Sequence, residues 1–116
     1  PGGSCILSSH LHANGELGGL LSVPGGGSRM PFSQAVLDER LHFVHMNGRD
    51  VFKAAVRTLT ERCHEALNAN GMTVEDVDWL VVHQANMRII EAVADALRVP
   101  ASKCIVNIQQ TGNTSA

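Results

Sequence analysis

Between Asp50 and about Asn68 the apolar residues Phe52, Ala55, Val56, Leu59, Cys63, Ala66 and Leu67 return every three or four positions, the spacing of one helix face. A helix over 50–68 is predicted, with Asn70-Gly71 as its stop. A second helix begins near Asn86, turns Met87, Ile90, Val93, Ala94 and Leu97 to one side, and must end before Pro100. Two continuous apolar runs bracket it. Trp79 to Val82 reads as a buried strand ending at His83, and Cys104 to Ile108 as another. Upstream, Cys5 to Leu11 and Leu17 to Val23 flank Asn14-Gly15, a pair that favours type I′ turns, so a hairpin over 5–23 is expected. Leu41 to Met46 alternates like a further strand, broken by Asn47-Gly48, and Thr73 to Asp76 has the spacing of a capping box.

Strand, helix and strand over 79–108 match the roughly 30 residues of a βαβ unit, whose strands lie parallel. Their C-terminal ends then share one sheet edge, where open α/β sheets place ligands. His83 ends the first strand and Asn113 follows the second. A neutral imidazole and a carboxamide are both N–H donors, and two such donors aimed at one carbonyl oxygen stabilise an enolate. The plainer alternative is that His83 finishes a strand and Asn113 serves a turn.

The 116 residues, 44% hydrophobic, suffice for one modest domain with an ordinary core. A net charge of -2 gives no broad basic field for nucleic acid or anionic membrane. Pro1-Gly2-Gly3 lacks the form of a secretory leader, and no apolar run approaches the ~20 residues of a membrane span, so a cytoplasmic location is expected. Cys5, Cys63 and Cys104 are odd in number and form no CxxC pair, which predicts reduced thiols packed as small hydrophobes, without a disulfide framework or zinc site. His10 and His12 would share a strand face, but no third ligand has suitable spacing, and no metal site is expected. The glycine-rich run Pro24 to Ser28 lacks the GK[ST] ending of a phosphate loop and reads as flexible.

Val82-His83-Gln84-Ala85-Asn86 with Arg88-Ile89-Ile90, and Gly112-Asn113-Thr114-Ser115-Ala116, resemble the HQANxRI and GNTSA motifs of β-ketoacyl-acyl-carrier-protein synthase III enzymes in the thiolase superfamily. His10 to Gly15 resembles that family's hairpin, and Met46 to Lys53 its segment entering the long helix. The resemblance implies an α/β, thiolase-like αβαβα layered fold, of which 1–116 would be part of the C-terminal half. It implies a Cys-His-Asn triad in a homodimer, with no cofactor beyond thioester substrates. Cysteine would take the acyl group of an acyl-CoA starter, and His83 and Asn113 would promote decarboxylation of malonyl-acyl carrier protein and stabilise the resulting carbanion equivalent. This condensation initiates fatty-acid synthesis. The family's nucleophile lies in the preceding half, so Cys5, Cys63 and Cys104 are not candidates.

The resemblance also gives roles at the mouth of the site. Asn86 matches a position that contacts the pantetheine arm and Phe52 one near the substrate channel; a helix cap and a core aromatic are their structural alternatives. Arg88 and Lys53 resemble carrier-protein docking positions, and Arg49, Lys53 and Arg57 line one helix face, a stripe that equally suits a merely solvated surface. Glu91 and Asp95 depart from the additional lysines often found after Arg88, which implies a smaller docking patch. Three other readings compete: a polyketide or alkylquinolone starter synthase, a noncatalytic carrier-protein-binding subunit, and a papain-type hydrolase.

Overall fold

The computed structural model describes residues 3–114. Its chain divides into two compact units, one of His12–Lys53 and one that joins Pro1–Leu11 to Ala54–Ala116. Ser115 and Ala116, the last residues of the GNTSA motif, lie outside the described residues.

In the His12–Lys53 unit the expected hairpin over 5–23 does not form. Type I′ turns need positive φ at both central residues. Asn14 instead sits at φ −132° and accepts the Glu16 N–H at 3.0 Å, capping a 3-10 helix over Gly15–Leu20. The segment after that helix becomes β1 (Leu21–Ser22), which pairs antiparallel with β2 (His45–Met46) in the register Leu21 to Met46 and Ser22 to His45. The alternating 41–46 run thus supplies the partner expected from Cys5 to Leu11. Between the strands lies α1 (Gln34–Asp38), capped by the Ser33 hydroxyl, with Val36 only 2% exposed. Gly25 packs against Val36 and donates its N–H to Leu41 O at 2.9 Å.

α2 (Gly48–Ala69) extends the predicted 50–68 helix by about one residue at its end and two at its start. Asn47 starts it by accepting the Asp50 N–H while donating to the Asp50 carboxylate at 2.7 Å. Its stop at Asn70-Gly71 is where the sequence puts it. In the second unit the Asn70 amide donates to Ser8 Oγ at 2.7 Å, and His10 stands 3.4 Å from Glu65 and 3.0 Å from Ser8 Oγ. His10 is therefore held by a carboxylate and a hydroxyl, and among the described residues no cluster of His, Cys, Asp or Glu could hold a metal ion.

The Thr73 capping signal is realised on a 3-10 turn over Val74–Asp76, where the Asp76 carboxylate accepts both the N–H and the hydroxyl of Thr73, at 2.8 and 2.9 Å. The βαβ unit is present in reduced form. Leu80 and Cys104 make one parallel bridge, through Leu80 N–H to Lys103 O at 2.8 Å and Ile105 N–H to Leu80 O at 3.0 Å. Between them runs α3 (Met87–Leu97), which buries Ile89, Ile90, Val93, Ala94 and Leu97 and stops on Arg98 in the left-handed region, φ 61°. With Leu80, Val82 and Val99 these side chains form the unit's core.

Two expectations change here. The segment 79–82 is buried on one side only, with Leu80 and Val82 inward and Trp79 and Val81 exposed at 62% and 70%. The strand expected over 104–108 is cut short because Asn107 accepts the Gln110 and Thr111 N–H groups and opens the short helix α4 (Ile108–Thr111). Of the cysteines, all are free as expected, but Cys5 is exposed, while Cys63 and Cys104 are partly buried.

Gly25 allows a direct test of packing in the first unit, since a Cβ there would meet Val36 Cγ1 at 2.6 Å. Gly25→Ala should cost about 1–3 kcal/mol, read from the thermal midpoint. A midpoint equal to the unsubstituted chain's would show that Val36 yields freely. In the second unit, hydrogen bonds from the Thr73 N–H and hydroxyl hold the Asp76 carboxyl below the usual carboxylate range. A carboxyl whose folded pKa is depressed adds stability that is complete above its unfolded pKa and lost as pH falls through the folded one. Asp76→Asn should therefore flatten the acid-side fall of the thermal midpoint; an unaltered slope counts against the bond.

Candidate active site

The alternation of the extended backbone decides which motif residues face outward. Leu80, Val82 and Gln84 point into the core, which sends Trp79, Val81 and His83 to the open side. His83 follows the parallel bridge by three positions and is exposed, and its carbonyl accepts the Ala85 N–H at 3.0 Å as the chain turns toward α3.

Asn86 caps α3 through Oδ1, which takes the Arg88 N–H at 2.9 Å. The structural reading of Asn86 is thus realised, and because the residue is exposed it does not exclude ligand contact as well. Arg88 stands exposed in the first turn of α3, with Glu91 and Asp95 exposed further along the same helix.

The second strand region approaches Asn113 through α4. Helix α4 ends at Gly112, whose φ of 66° and ψ of −163° lie where only glycine sits without strain, and Asn113 follows, exposed. Asn113 is therefore delivered by a helical turn and a glycine, where a simple strand-end turn was expected.

What joins the two segments is Gln84, at 7% exposure the buried polar side chain of this region. Its Nε2 donates to Val82 O at 2.9 Å and to Ile105 O at 3.1 Å, and its Oε1 accepts the Asn107 N–H at 3.0 Å. One side chain thus satisfies backbone groups on both sides of the Leu80–Cys104 bridge. Each of those groups, buried without a partner, would cost about 1–3 kcal/mol. The sequence reading quoted Gln84 only inside the HQAN motif. The inward beat of Leu80 and Val82, extended by two residues, is the signal that reveals it.

The remaining predicted residues lie at the start of α2, in the His12–Lys53 unit. Phe52 is half-buried, Arg49 is exposed, and Lys53 is exposed with its Nζ 3.8 Å from Asp50 Oδ1. An exposed i,i+3 pair of that length contributes little, so Lys53 remains available to another carboxylate. Among the thiols, burial pushes both Cys63 and Cys104 up from the usual thiol range, and Cys104 faces the Pro100 carbonyl at 3.7 Å. A thiol that holds its proton is a poor nucleophile.

Comparison with known proteins finds relatives of one kind. The family described as 3-oxoacyl-[acyl-carrier-protein (ACP)] synthase III C terminal matches residues 67–116. The chain is 50% identical over 113 residues to the beta-ketoacyl-[acyl-carrier-protein] synthase III of Oleidesulfovibrio alaskensis, covering 96% of this chain and 34% of that protein. To the corresponding protein of Koribacter versatilis it is 44% identical over 111 residues, covering 95% and 33%. Among solved structures, the 3-oxoacyl-[acyl-carrier-protein] synthase III of Aquifex aeolicus superposes with a TM-score of 0.73 at 39% identity, over 90% of this chain and 29% of that one. The Thermus thermophilus synthase III gives 0.74 at 37% identity, over 90% and 31%. The chain spans about a third of the length of the curated relatives it matches.

The superpositions give the chain a thiolase-like fold, in the α/β class expected. Within that fold it is similar to the C-terminal part of β-ketoacyl-acyl-carrier-protein synthase III proteins. The papain-type reading is not favoured by that similarity.

The geometry before Asn113 can be tested at Gly112. Gly112→Ala places a Cβ at φ 66°, ψ −163°, and should cost about 1–3 kcal/mol of local strain. Thermal unfolding reads that cost, and an unchanged midpoint would mean that α4 relaxes without strain.

Proposed function

We propose that this chain supplies the enolate-stabilising half of a condensing active site, with His83 and Asn113 as its two N–H donors. The reaction is decarboxylative Claisen condensation of an acyl-CoA starter with malonyl-acyl carrier protein, the step that initiates fatty-acid synthesis. Support comes above all from the lacing of the His83 segment to the segment leading to Asn113, inside the HQANxR and GNT sequences of a chain half identical to a synthase III.

The chemistry follows from the donor set. With a starter acyl group on a cysteine thiol, the malonyl thioester presents its carbonyl oxygen to the imidazole and carboxamide N–H groups. The bond to the carboxylate breaks, carbon dioxide leaves, and its electron pair becomes an enolate whose oxygen charge the donors carry. The enolate carbon then attacks the acyl carbonyl, forming the new carbon–carbon bond and expelling the cysteine thiolate. None of Cys5, Cys63 and Cys104 is read as that nucleophile. Thioester substrates bring their own activation, so the reading calls for no cofactor.

In the same reading Asn86 meets the pantetheine arm and Phe52 borders the substrate channel. Arg88, Lys53 and Arg49 meet an acidic carrier protein, whose charge complements theirs. Homodimeric assembly and a cytoplasmic location belong to this proposal too. Light scattering and cell fractionation test them. No helix among the described residues is long and apolar enough to cross a membrane.

The experiment places this chain in the Oleidesulfovibrio alaskensis synthase in exchange for the matching 34% of that protein. In that enzyme His83→Ala and Asn113→Ala should each lower condensation by on the order of 10²-fold, with carbon dioxide release falling in parallel and acyl loading of the cysteine retained. Equal loss of loading would contradict the role. Arg88→Glu should raise KM for malonyl carrier protein and weaken its salt dependence, because a rim charge acts through encounter and orientation. Turnover of a carrier-free malonyl thioester should stay unchanged. If both substrates slow alike, Arg88 is not a docking residue.

A further inference from the structure

We infer that Gln84 is a positioning residue for the condensation step, setting the spacing of His83 and Asn113 without touching substrate; the inference rests on the catalytic reading of those two residues. Its neighbour His83 is fixed through the Val82 carbonyl, which Gln84 Nε2 holds at 2.9 Å on one flank of the imidazole-bearing residue. The Asn113 side is fixed through Asn107, whose N–H is held by Gln84 Oε1 at 3.0 Å. Asn107 in turn anchors α4, accepting the Gln110 and Thr111 N–H groups at 2.9 and 3.1 Å, and α4 delivers Gly112 and Asn113. The third bond, to Ile105 O at 3.1 Å, ties the amide to the residue whose N–H donates to Leu80 O.

Only a carboxamide offers two donors and an acceptor from one planar head. An ionised carboxylate in its place presents acceptors to the Val82 and Ile105 carbonyls, and an apolar isostere presents nothing. The parallel bridge itself is a single residue pair outside named strands, too short to fix two exposed side chains against each other. The amide supplies the registration that a longer ladder would provide.

Two substitutions in the exchanged synthase test this. Gln84→Met keeps the length and removes all three bonds; Gln84→Glu keeps the shape and removes the donors when ionised. Misplacing reacting groups by about 1 Å can cost 10²-fold. Both variants should therefore lose on the order of 10-fold or more in kcat for malonyl decarboxylation, with KM and acyl loading held within about twofold. The Gln84→Glu enzyme should also recover activity, relative to the unsubstituted enzyme, as pH falls, because the protonated carboxyl regains one O–H donor. A merely structural role would lower the thermal midpoint without that pH profile.

The inference is overturned if folded Gln84→Met decarboxylates at the unsubstituted kcat, or if Gln84→Glu follows the unsubstituted pH profile. Should Gln84→Met not fold, the Gln84→Glu profile decides alone. His83→Ala run alongside separates the two levels. Decarboxylation that survives His83→Ala overturns the catalytic reading and this inference with it, whereas a silent Gln84 beside a damaging His83→Ala overturns the inference only.

Discussion

Burying the apolar stripe of α3 fixes where the polar residues around its N-terminus must emerge. Ile90 and Val93 are essentially without solvent contact, at 1% and 0% exposure, and Ile89, Ala94 and Leu97 are nearly so. A fully buried aliphatic side chain contributes about 1.5–3 kcal/mol, against about 1 kcal/mol for a helix cap. The stripe therefore sets the rotation of α3, and the Asn86 cap sets only its first residue. Once that rotation is fixed, Arg88 has no choice but the exposed side, and the turn from His83 into the helix is confined to three residues, Gln84 to Asn86.

The same constraint explains why an amide is tolerated inside an otherwise apolar core. A buried polar side chain is unfavourable unless every group finds a partner. Gln84 meets that condition with three backbone groups that would otherwise be left open by so brief a bridge. Its own alternation with Leu80 and Val82 leaves the opposite row, Trp79, Val81 and His83, facing outward. His83 thus shares its face with two large apolar side chains, Trp79 and Val81.

Much of this was legible in the sequence because helices announce themselves locally. The periodicity of Phe52 to Leu67 and of Met87 to Leu97, with Asn70-Gly71 and Asn86 as punctuation, places α2 and α3 within a residue or two. His83 and Asn113 could be put on one unit because a βαβ crossover has few topologies. The hairpin was misjudged for a different reason: Asn14-Gly15 permits a I′ turn but does not compel it, and Asn14 found a closer acceptor role in capping Glu16. Pairing of Leu21 with Met46 is a long-range choice that no local pattern encodes. The role of Gln84 is not legible because two of its three backbone partners lie some twenty positions away, which side-chain chemistry read along the chain does not reveal.

The contact that ties the N-terminal segment into its unit has a kinetic consequence. Ser8 meets Asn70 across 62 residues, whereas Gln84 meets Asn107 across 23. Closing the longer loop costs about 0.9 kcal/mol more in chain entropy, since the cost grows as the logarithm of loop length. It returns polar contacts near the surface, Ser8 with Asn70 and His10 with Glu65, while the shorter loop closes over an apolar core. On these grounds the crossover between Leu80 and Cys104 is expected to close before the segment bearing Ser8 and His10 docks.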